Sequence, residues 1–447
     1  MEKIIVIGGM AAGMSASSKA KRDNPDLEIV VYTQESGVSY GACGLPYYLA
    51  GHFEDAEALR VRQVEDFTKK GVTVKINHKV VKLITKEKRV LVKDLETGRE
   101  FWDNYDKLVF ATGSRNFLPP VPGIDLEGVF SLKTADDGKS IDEYLRQESI
   151  ERTLIIGAGF IGLEVAESLI HRGKKVTILE VAPYVLSNFD QEMGDIVQKE
   201  LEQKGIECFV EESVQEIKRT DNVLVVKTDK RTLEVDFVLV STGVVPNSEL
   251  AKEAGLDLGI RNAIRVNSYM ETSDPNIYAA GDCATTFHRL YNKDAWIPLG
   301  TTANKQGRIV GKNLAGNKAR FDGIVGTGIV KVFDLECART GLNEREAKGL
   351  GVEFETVLVA SVTKPGYYPG SEGITCKLIA EKGTGKILGG QILGGTGAGK
   401  RIDTLATAIY AGLTVNEIQA LDLAYAPPFA PVLEAFQRAA KVLEKKI

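Results

Sequence analysis

The chain has 447 residues, 43% of them hydrophobic and 26% charged, ordinary proportions for a globular protein and enough length for roughly three domains with cores of their own. Its 56 basic and 61 acidic residues leave a net charge of −5 at pH 7, which excludes the basic footprint selected by nucleic acid or an anionic membrane. No apolar run approaches the about 18 residues that a membrane-spanning helix requires, so neither nucleic acid nor a membrane is an expected partner.

The N-terminus reads MEKIIVIGGMAAG. Its apolar run, Ile4 to Ile7, is short and leads straight into a glycine loop, the pattern of a first strand rather than of a signal sequence. In that loop Gly8 and Gly13 fit a nucleotide-binding turn, while Met10 takes the place of the middle glycine. Thr33 stands where an acidic residue is expected after the next strand, with Glu35 two residues further on. The helix pattern between them carries Lys19, Lys21 and Arg22, cations suited to a phosphate, or simply a solvated basic face.

SYGACGLPYY, Ser39 to Tyr48, holds one cysteine, Cys43, with Pro46 and Tyr48 at the positions where a CxxC or CxxxxC partner would stand. A lone cysteine cannot store two electrons as an internal disulfide. Its oxidised form is then a mixed disulfide, a sulfenic acid or a persulfide. Gly41, Ala42 and Gly44 leave the approach unobstructed, and a helix beginning at Pro46 would favour the thiolate. The other cysteines, Cys208, Cys283, Cys337 and Cys376, are scattered, and the odd total of five points to a reducing cytosol rather than a disulfide framework. Cys208 and Cys376 lie inside strand patterns, as buried inert thiols do.

The strand KLVFATG ends in Ala111, Thr112 and Gly113, and the whole unit then repeats: TLIIGAGFIG, KVTILE and FVLVSTG follow the first pattern. Gly157, Gly159 and Gly162 complete GxGxxG after an apolar strand, and Glu180 closes the next strand where a carboxylate accepts from a ribose 2′-OH. A carboxylate there repels a 2′-phosphate, which favours NADH over NADPH. NIYAAGDCATT places Gly281 and Asp282 after a strand, a pairing with the first loop that suits FAD. IPLGTTANKQGRIVGKNLAG reads as a helix capped by Thr301 or Thr302, its N-terminus available to an electron-rich flavin carbonyl. After Phe321, IVKVFDL, VLVASV and ITCKLIA read as strands of a mixed sheet and RIDTLATAIYAGLTVNEIQAL as helices, a third, α+β domain. Four histidines, His52, His78, His171 and His288, show no metal spacing.

Taken together, these motifs resemble the single-cysteine branch of the FAD-dependent pyridine nucleotide–disulfide oxidoreductases, which contains coenzyme A-disulfide reductases, NADH oxidases, NADH peroxidases and persulfide reductases. The CGLPYY string and the late AYAPPF (Ala424 to Phe429) look most like the coenzyme A-disulfide reductases. The resemblance implies an α/β fold of two doubly wound Rossmann-like nucleotide-binding domains plus a C-terminal α+β dimerisation domain. It divides the chain into an FAD-binding domain (1–113 and 245–322), an NAD(P)H-binding domain (114–244) and a dimerisation domain (323–447). It implies a cytoplasmic homodimer that passes an electron pair from NADH through FAD to Cys43. Gly8, Ala12, Gly13, Thr33, Ala111, Thr112, Gly113, Gly281, Asp282 and Thr301 would hold FAD. Gly157, Gly159, Phe160, Ile161, Gly162, Glu164, Glu180 and Gly243 would hold the pyridine nucleotide, with Phe160 as an aromatic gate and Glu164 near the flavin.

Tyr425, and Tyr367 in GYYPGSEG, match catalytic tyrosines offered by the other subunit, and the chain has no histidine after His288 to serve instead. Ser15, Lys19, Arg22 and Ser39 match contacts to coenzyme A, although Ala42 replaces an asparagine and Leu433 a basic residue of that pattern. Ala11 stands where oxidases and peroxidases carry a histidine. The expected activity is reduction of coenzyme A disulfide, or of its persulfide or mixed disulfide. An NADH oxidase or peroxidase working through a Cys43 sulfenate is the alternative, and a non-catalytic redox sensor a third reading.

Overall fold

The structure is a computed structural model, and it describes residues 2–221 and 223–447. The chain divides into two compact units. One gathers the residues up to Leu45 with Glu54–Asn116 and Val244–Ile324; the other gathers Pro46–Phe53, Phe117–Gly243 and Val325–Ile447.

The first unit is built on a parallel sheet in the order Ile277–Ala279, Lys107–Phe110, Lys3–Ile7, Glu28–Tyr32, Val72–Lys75. Its strands are nearly continuous runs of Ile, Val and Leu because both faces are covered. The period of two sorts them. Ile4, Val6, Ile29 and Val31 pack under the helices Ala11–Asp23 and Gly300–Leu314, with Ala16, Ala20, Val310 and Leu314. Ile5, Ile7 and Val30 face the other way, onto Val80, Leu83, Val90 and Val92 of an antiparallel three-stranded sheet. The two helices touch backbone to backbone: a Cβ on Gly307 would sit 2.3 Å from Ala12 O, and one on Gly311 2.5 Å from Ala16 O. Alanine at either position would force them apart.

The second unit repeats the plan. Its parallel sheet runs Glu207–Val210, Lys175–Glu180, Arg152–Ile156, Phe237–Val240, Val129–Phe130. A second five-stranded sheet in the same unit runs Gly328–Val332, Leu335–Gly341, Ile387–Gly394, Gly373–Glu381, Phe354–Val362. The sequence suggests a mixed sheet here, but every pairing is antiparallel. The physical reason lies in the connections. Val332 and Leu335 are joined by a two-residue turn with Phe333 at φ 52, too short for the crossover that a parallel pair needs. Helices Ile402–Ala411, Val415–Ala420 and Ala435–Leu443 accompany this sheet. Among the described residues no helix is long and apolar enough to cross a membrane.

Candidate active site

In the first unit the residues read as the FAD site converge at the C-terminal ends of adjacent parallel strands. Gly8 follows Ile7, Thr33 follows Tyr32, Ala111 follows Phe110 and Gly281 lies just past Ala279, the edge where doubly wound sheets bind ligands. Gly8 has φ +115, and a Cβ there would fall 2.1 Å from Ala111 O; one on Gly13 would fall 2.0 Å from Gly8 O. Strand, turn and helix are therefore at backbone contact. Ala12 meets Gly281 on the other side, where a Gly281 Cβ would lie 3.0 Å from Ala12 Cβ.

Asp282 is held by its neighbours: Oδ2 accepts from Ser114 Oγ at 2.8 Å, and its carbonyl accepts from Trp296 Nε1 at 2.8 Å. Thr112 and Asn247 bind each other twice, Thr112 Oγ1 donating to Asn247 O at 2.6 Å and Asn247 Nδ2 to Thr112 O at 2.9 Å. The Gly281 amide donates to Gln306 Oε1 at 2.8 Å. Asn247 and Gln306 were missed in the sequence, where an amide after a proline or inside a helix carries no signal. Thr33 is buried, and Glu35 N donates weakly to its Oγ1 at 3.4 Å.

One detail of the helix over 300–314 differs from expectation. Its N-cap is Leu299, with no side-chain cap, so Thr301 and Thr302 lie inside the first turn, Thr301 exposed and Thr302 buried. The cause is the extended Leu299 backbone (φ −140, ψ 135), which starts the helix two or three residues earlier than a Thr301 or Thr302 cap would. The helices beginning at Ala11 and Phe160 likewise start without a side-chain cap, whereas those at Ala135, Glu344 and Val415 carry capping boxes. These three helices therefore leave first-turn N–H groups without a side-chain cap, as do those at Gln191, Glu249 and Ile402.

The second glycine loop, in the other unit, fits a dinucleotide closely. Gly157 has φ +107 and its Cβ would lie 2.4 Å from Ser241 O; a Cβ on Gly162 would lie 2.1 Å from Gly157 O. Gly159 is different: its Cβ would meet nothing within 4 Å, which leaves the room a pyrophosphate needs to reach the backbone. Gly157→Ala is therefore expected to destabilise the fold by more than about 2 kcal/mol. Gly159→Ala should leave the melting temperature unchanged while raising the Kd for NADH by roughly tenfold or more. Thermal unfolding and an NADH titration of the two variants separate these effects.

Glu180 takes Ala158 N on Oε2 at 2.7 Å and Ala182 N on Oε1 at 2.8 Å, and each oxygen retains a lone pair for a ribose hydroxyl. Phe160 is half-buried, its ring 6.5 Å from that of Phe189 and its Cε2 3.2 Å from where a Gly328 Cβ would be. Ile161 is half-buried in the first turn, and Gly243, at φ +106, accepts from Phe117 N at 2.9 Å.

Glu164 lies on the same helix, its Oε1 accepting from Tyr47 Oη at 3.2 Å. Burial pushes this carboxyl up to about 7, the Tyr47 bond pulling it down and the Glu167 charge adding to the rise. Because the folded pKa lies above the unfolded one, the protonated acid is the form the fold prefers. Stability from this group is complete below the ordinary carboxylate pKa and is lost as pH rises to about 7. Glu164→Gln is thus expected to match the wild type near pH 4 and to exceed it above pH 7 by on the order of 2 kcal/mol, read by denaturant unfolding at the two pH values.

Cys43 is exposed, in a turn over Ala42–Gly44. Gly41 N donates to Leu59 O at 2.9 Å, Gly44 N to Gly41 O at 2.8 Å, and a Cβ on Gly44 would strike Leu59 Cδ2 at 2.4 Å. Ser39 takes φ 56, and its amide donates to Gly9 O at 3.1 Å, which stitches the cysteine loop to the first glycine loop. The expected helix follows, over Leu45–Leu49. The remaining thiols suit structural roles. Burial pushes Cys208 and Cys337 up to about 12 and raises Cys283 and Cys376 as well, and no disulfide joins the described cysteines.

Of the first-helix cations, Lys19 is paired with Asp23 at 2.7 Å, and Lys21 Nζ donates to Pro25 O and Leu27 O at 2.7 Å each. Arg22 is exposed and has no carboxylate partner among the described residues. Ser15 Oγ accepts from Asn304 Nδ2 at 2.8 Å, so the helix over 300–314 also borders this patch.

Tyr367 and Tyr425 are hydrogen-bonded to each other, which raises the Tyr367 phenol. They are 75% and 46% exposed, and Phe429 and Val432, further along the Tyr425 segment, are 76% and 75% exposed. One guanidinium organises both tyrosine segments. Arg401 donates from Nη2 to Thr363 O at 2.8 Å and Phe429 O at 3.1 Å, from Nη1 to Gly397 O at 2.6 Å, and from Nε to Glu434 Oε2 at 2.7 Å. No group of His, Cys, Asp and Glu fit to hold a metal ion is found among the described residues.

Two dinucleotide cradles and one accessible cysteine define a redox enzyme that works with two nucleotide cofactors. A family model for pyridine nucleotide-disulphide oxidoreductases matches residues 2–307, and the model for the dimerisation domain of the same family matches residues 327–438. The chain belongs to this family, and it is an NAD(P)H-dependent flavoprotein oxidoreductase that uses FAD. It is 40% identical to the NAD(P)H sulfur oxidoreductase (CoA-dependent) of Pyrococcus furiosus, over 99% of each chain. It is 37% identical to an NADH oxidase of Methanocaldococcus jannaschii, over 100% of this chain and 99% of the relative. The solved structure of an NAD-dependent persulfide reductase from A. fulgidus superposes with a TM-score of 0.96 at 40% identity, covering 99% of this chain and 83% of that one.

Proposed function

We propose that this protein reduces coenzyme A disulfide, or a coenzyme A persulfide or mixed disulfide, with electrons from NADH, through Cys43 alone. The observation that carries the reading is Cys43 itself: exposed at a glycine-lined turn, while the other four thiols are shifted up by burial or fully enclosed. Bound FAD supplies the two-electron carriage between the pyridine nucleotide and sulfur. Gly8 to Gly13, Thr33, Ala111 to Gly113, Gly281, Asp282 and the turn holding Thr301 would hold it. The loop Gly157–Gly162, Phe160, Ile161, Glu164, Glu180 and Gly243 would hold the nicotinamide nucleotide.

The Cys43 thiolate attacks one sulfur of the substrate disulfide. A Cys43–S–S–R bond forms, the substrate S–S bond breaks, and one thiolate leaves. Two electrons then cleave the mixed disulfide, which releases the second thiolate and regenerates the Cys43 thiolate. Tyr425 and Tyr367, supplied from the second copy of a homodimer, donate hydrogen bonds to the leaving thiolate and hold its proton. Ser15, Arg22 and Ser39 receive the nucleotide end of the substrate, with Lys19 contributing once its pairing with Asp23 is exchanged. The coenzyme A in the name of the Pyrococcus relative supports this substrate class, and the absence of a histidine at Ala11 supports a thiol over oxygen. A reducing compartment, the cytosol, suits five cysteines without a disulfide among them.

The name of the Methanocaldococcus relative favours one other reading, an NADH oxidase. The FAD-loaded protein, offered coenzyme A disulfide, glutathione disulfide, peroxide and oxygen separately, distinguishes the two. The proposal expects kcat/KM for coenzyme A disulfide to exceed the others at least tenfold. Preference for oxygen or peroxide would replace it with the oxidase reading.

A further inference from the structure

The stretch that follows Cys43 changes company. Pro46–Phe53 belongs to the second unit, although the residues on either side of it belong to the first. One face of the Phe160–His171 helix and its end residue holds it there. Glu164, Ser168 and Arg172 are spaced four apart, so their side chains stack along one line.

Each takes a different group of the same short helix. Tyr47 Oη donates to Glu164 Oε1 at 3.2 Å, and Ser168 Oγ donates to Pro46 O at 2.6 Å. Arg172 Nε donates to Leu49 O, and its Nη2 pairs with Asp142. Asp142 closes the set, since its Oδ2 accepts from Tyr48 Oη at 3.3 Å. Ser168, Asp142 and Tyr48 are all buried. A five-residue helix cannot sustain itself; its order must come from such contacts. Dinucleotide binding requires none of Ser168, Arg172 or Asp142, which lie two to three turns beyond the glycine loop or on another element.

We propose that Glu164, Ser168 and Arg172 are positioning residues for the redox cysteine: by fixing Pro46–Leu49 they fix the turn from which Cys43 projects and keep its thiolate reactive. Only two residues, Gly44 and Leu45, separate Cys43 from Pro46, so a displacement of the helix start reaches the sulfur with little loss. The ladder also accounts for the sequence CGLPYY as a unit. Pro46 sits at the first turn of a helix, where a missing N–H costs nothing, its carbonyl accepts from both Ala50 N and Ser168 Oγ, and the two tyrosines reach Glu164 and Asp142.

Because this rests on Cys43 being the redox cysteine, the test uses no substrate and so stays informative if the substrate class proposed above is wrong. In the FAD-loaded protein with Cys43 reduced, two quantities are measured for wild type, Ser168→Ala, Arg172→Ala and Arg172→Lys. One is amide hydrogen exchange over residues 46–53; the other is the pH profile of Cys43 alkylation by iodoacetamide. Ser168→Ala and Arg172→Ala are expected to raise exchange in that segment at least tenfold and to slow alkylation at pH 7 three- to tenfold, with the midpoint of the profile moved up. Arg172→Lys should restore most of both, since an ammonium can still reach Leu49 O and Asp142. Exchange that stays at the wild-type level would overturn the proposal, and so would faster exchange with an alkylation profile superimposable on the wild type. Should Arg172→Ala fail to fold, Ser168→Ala, which removes a single oxygen, decides alone.

Discussion

Cys43→Ser is expected to lose NADH-dependent disulfide reduction by at least about three orders of magnitude while keeping FAD and NADH binding. A serine hydroxyl is not ionised near neutral pH and forms no stable bond to a disulfide sulfur, so the exchange chemistry has no substitute nucleophile. None of the other thiols can take over: Cys283, Cys337 and Cys376 are buried, and burial holds Cys208 near 12. The side chain itself bears little on the fold, since Cys43 is exposed and the surrounding turn is held by backbone contacts of Gly41 and Gly44. Steady-state rates with coenzyme A disulfide in the absence of oxygen, together with flavin absorbance and thermal unfolding, measure both halves. Activity within tenfold of wild type would remove Cys43 from the chemistry.

Lys377→Ala is expected to be the most destabilising of the changes considered, at about 3–5 kcal/mol. Lys377 is 1% exposed. Its ammonium meets Glu344 Oε1 at 2.6 Å, Asp190 Oδ2 at 3.1 Å and Glu192 Oε1 at 3.1 Å. Removing it leaves three carboxylates facing one another, one of them, Asp190, buried. Asp190 also accepts from Gln391 Nε2 at 2.6 Å and from Glu344 N at 2.9 Å.

The segment so anchored, Ala182–Asp190, leads back to the dinucleotide loop: the Leu186 amide, at φ 56, donates to Ala158 O at 2.9 Å. Loss of Lys377 should therefore also weaken NADH binding. The contributions separate in a second variant, Lys377→Met with Asp190→Asn, which removes the cation and the buried anion together. It is expected to recover more than half of the lost stability in denaturant unfolding, because unpaired buried charge rather than lost attraction dominates the cost.

What the sequence made legible is what depends on local backbone chemistry. Gly8, Gly13, Gly157 and Gly162 are demanded by contacts at 2.0–2.4 Å that no Cβ permits, and a chain that needs such contacts must spell them as glycine. The alternation of Ile4 and Val6 against Ile5 and Ile7 similarly announces a strand covered on two sides. The sequence could not reveal which side chains reach across the fold. Asn247 onto Thr112, Gln306 onto Gly281 and Arg401 onto the two tyrosine segments join residues far apart in the chain, and no spacing rule predicts them. The membership of Pro46–Phe53 in the second unit was hidden for the same reason. The position of Thr301 was misjudged because threonine is a good N-cap in general, and nothing in the sequence says that the extended Leu299 begins the helix uncapped. The mixed sheet expected near the C-terminus is antiparallel because strands there are joined by connections as short as the two residues between Val332 and Leu335, too short for a crossover.

The central claim is that Cys43 cycles through a mixed disulfide with a small thiol. The most direct test uses just enough NADH, under anaerobic conditions, to leave Cys43 of the FAD-loaded protein a free thiol and the flavin oxidised, adds one equivalent of coenzyme A disulfide, quenches with acid and measures the mass of the Cys43 peptide. A gain of one coenzyme A on that peptide, reversed by further NADH with release of one thiol, is the predicted result. An unmodified Cys43 peptide that acquires a single oxygen only when air or peroxide is admitted would contradict it, and would make this chain a sulfenate enzyme.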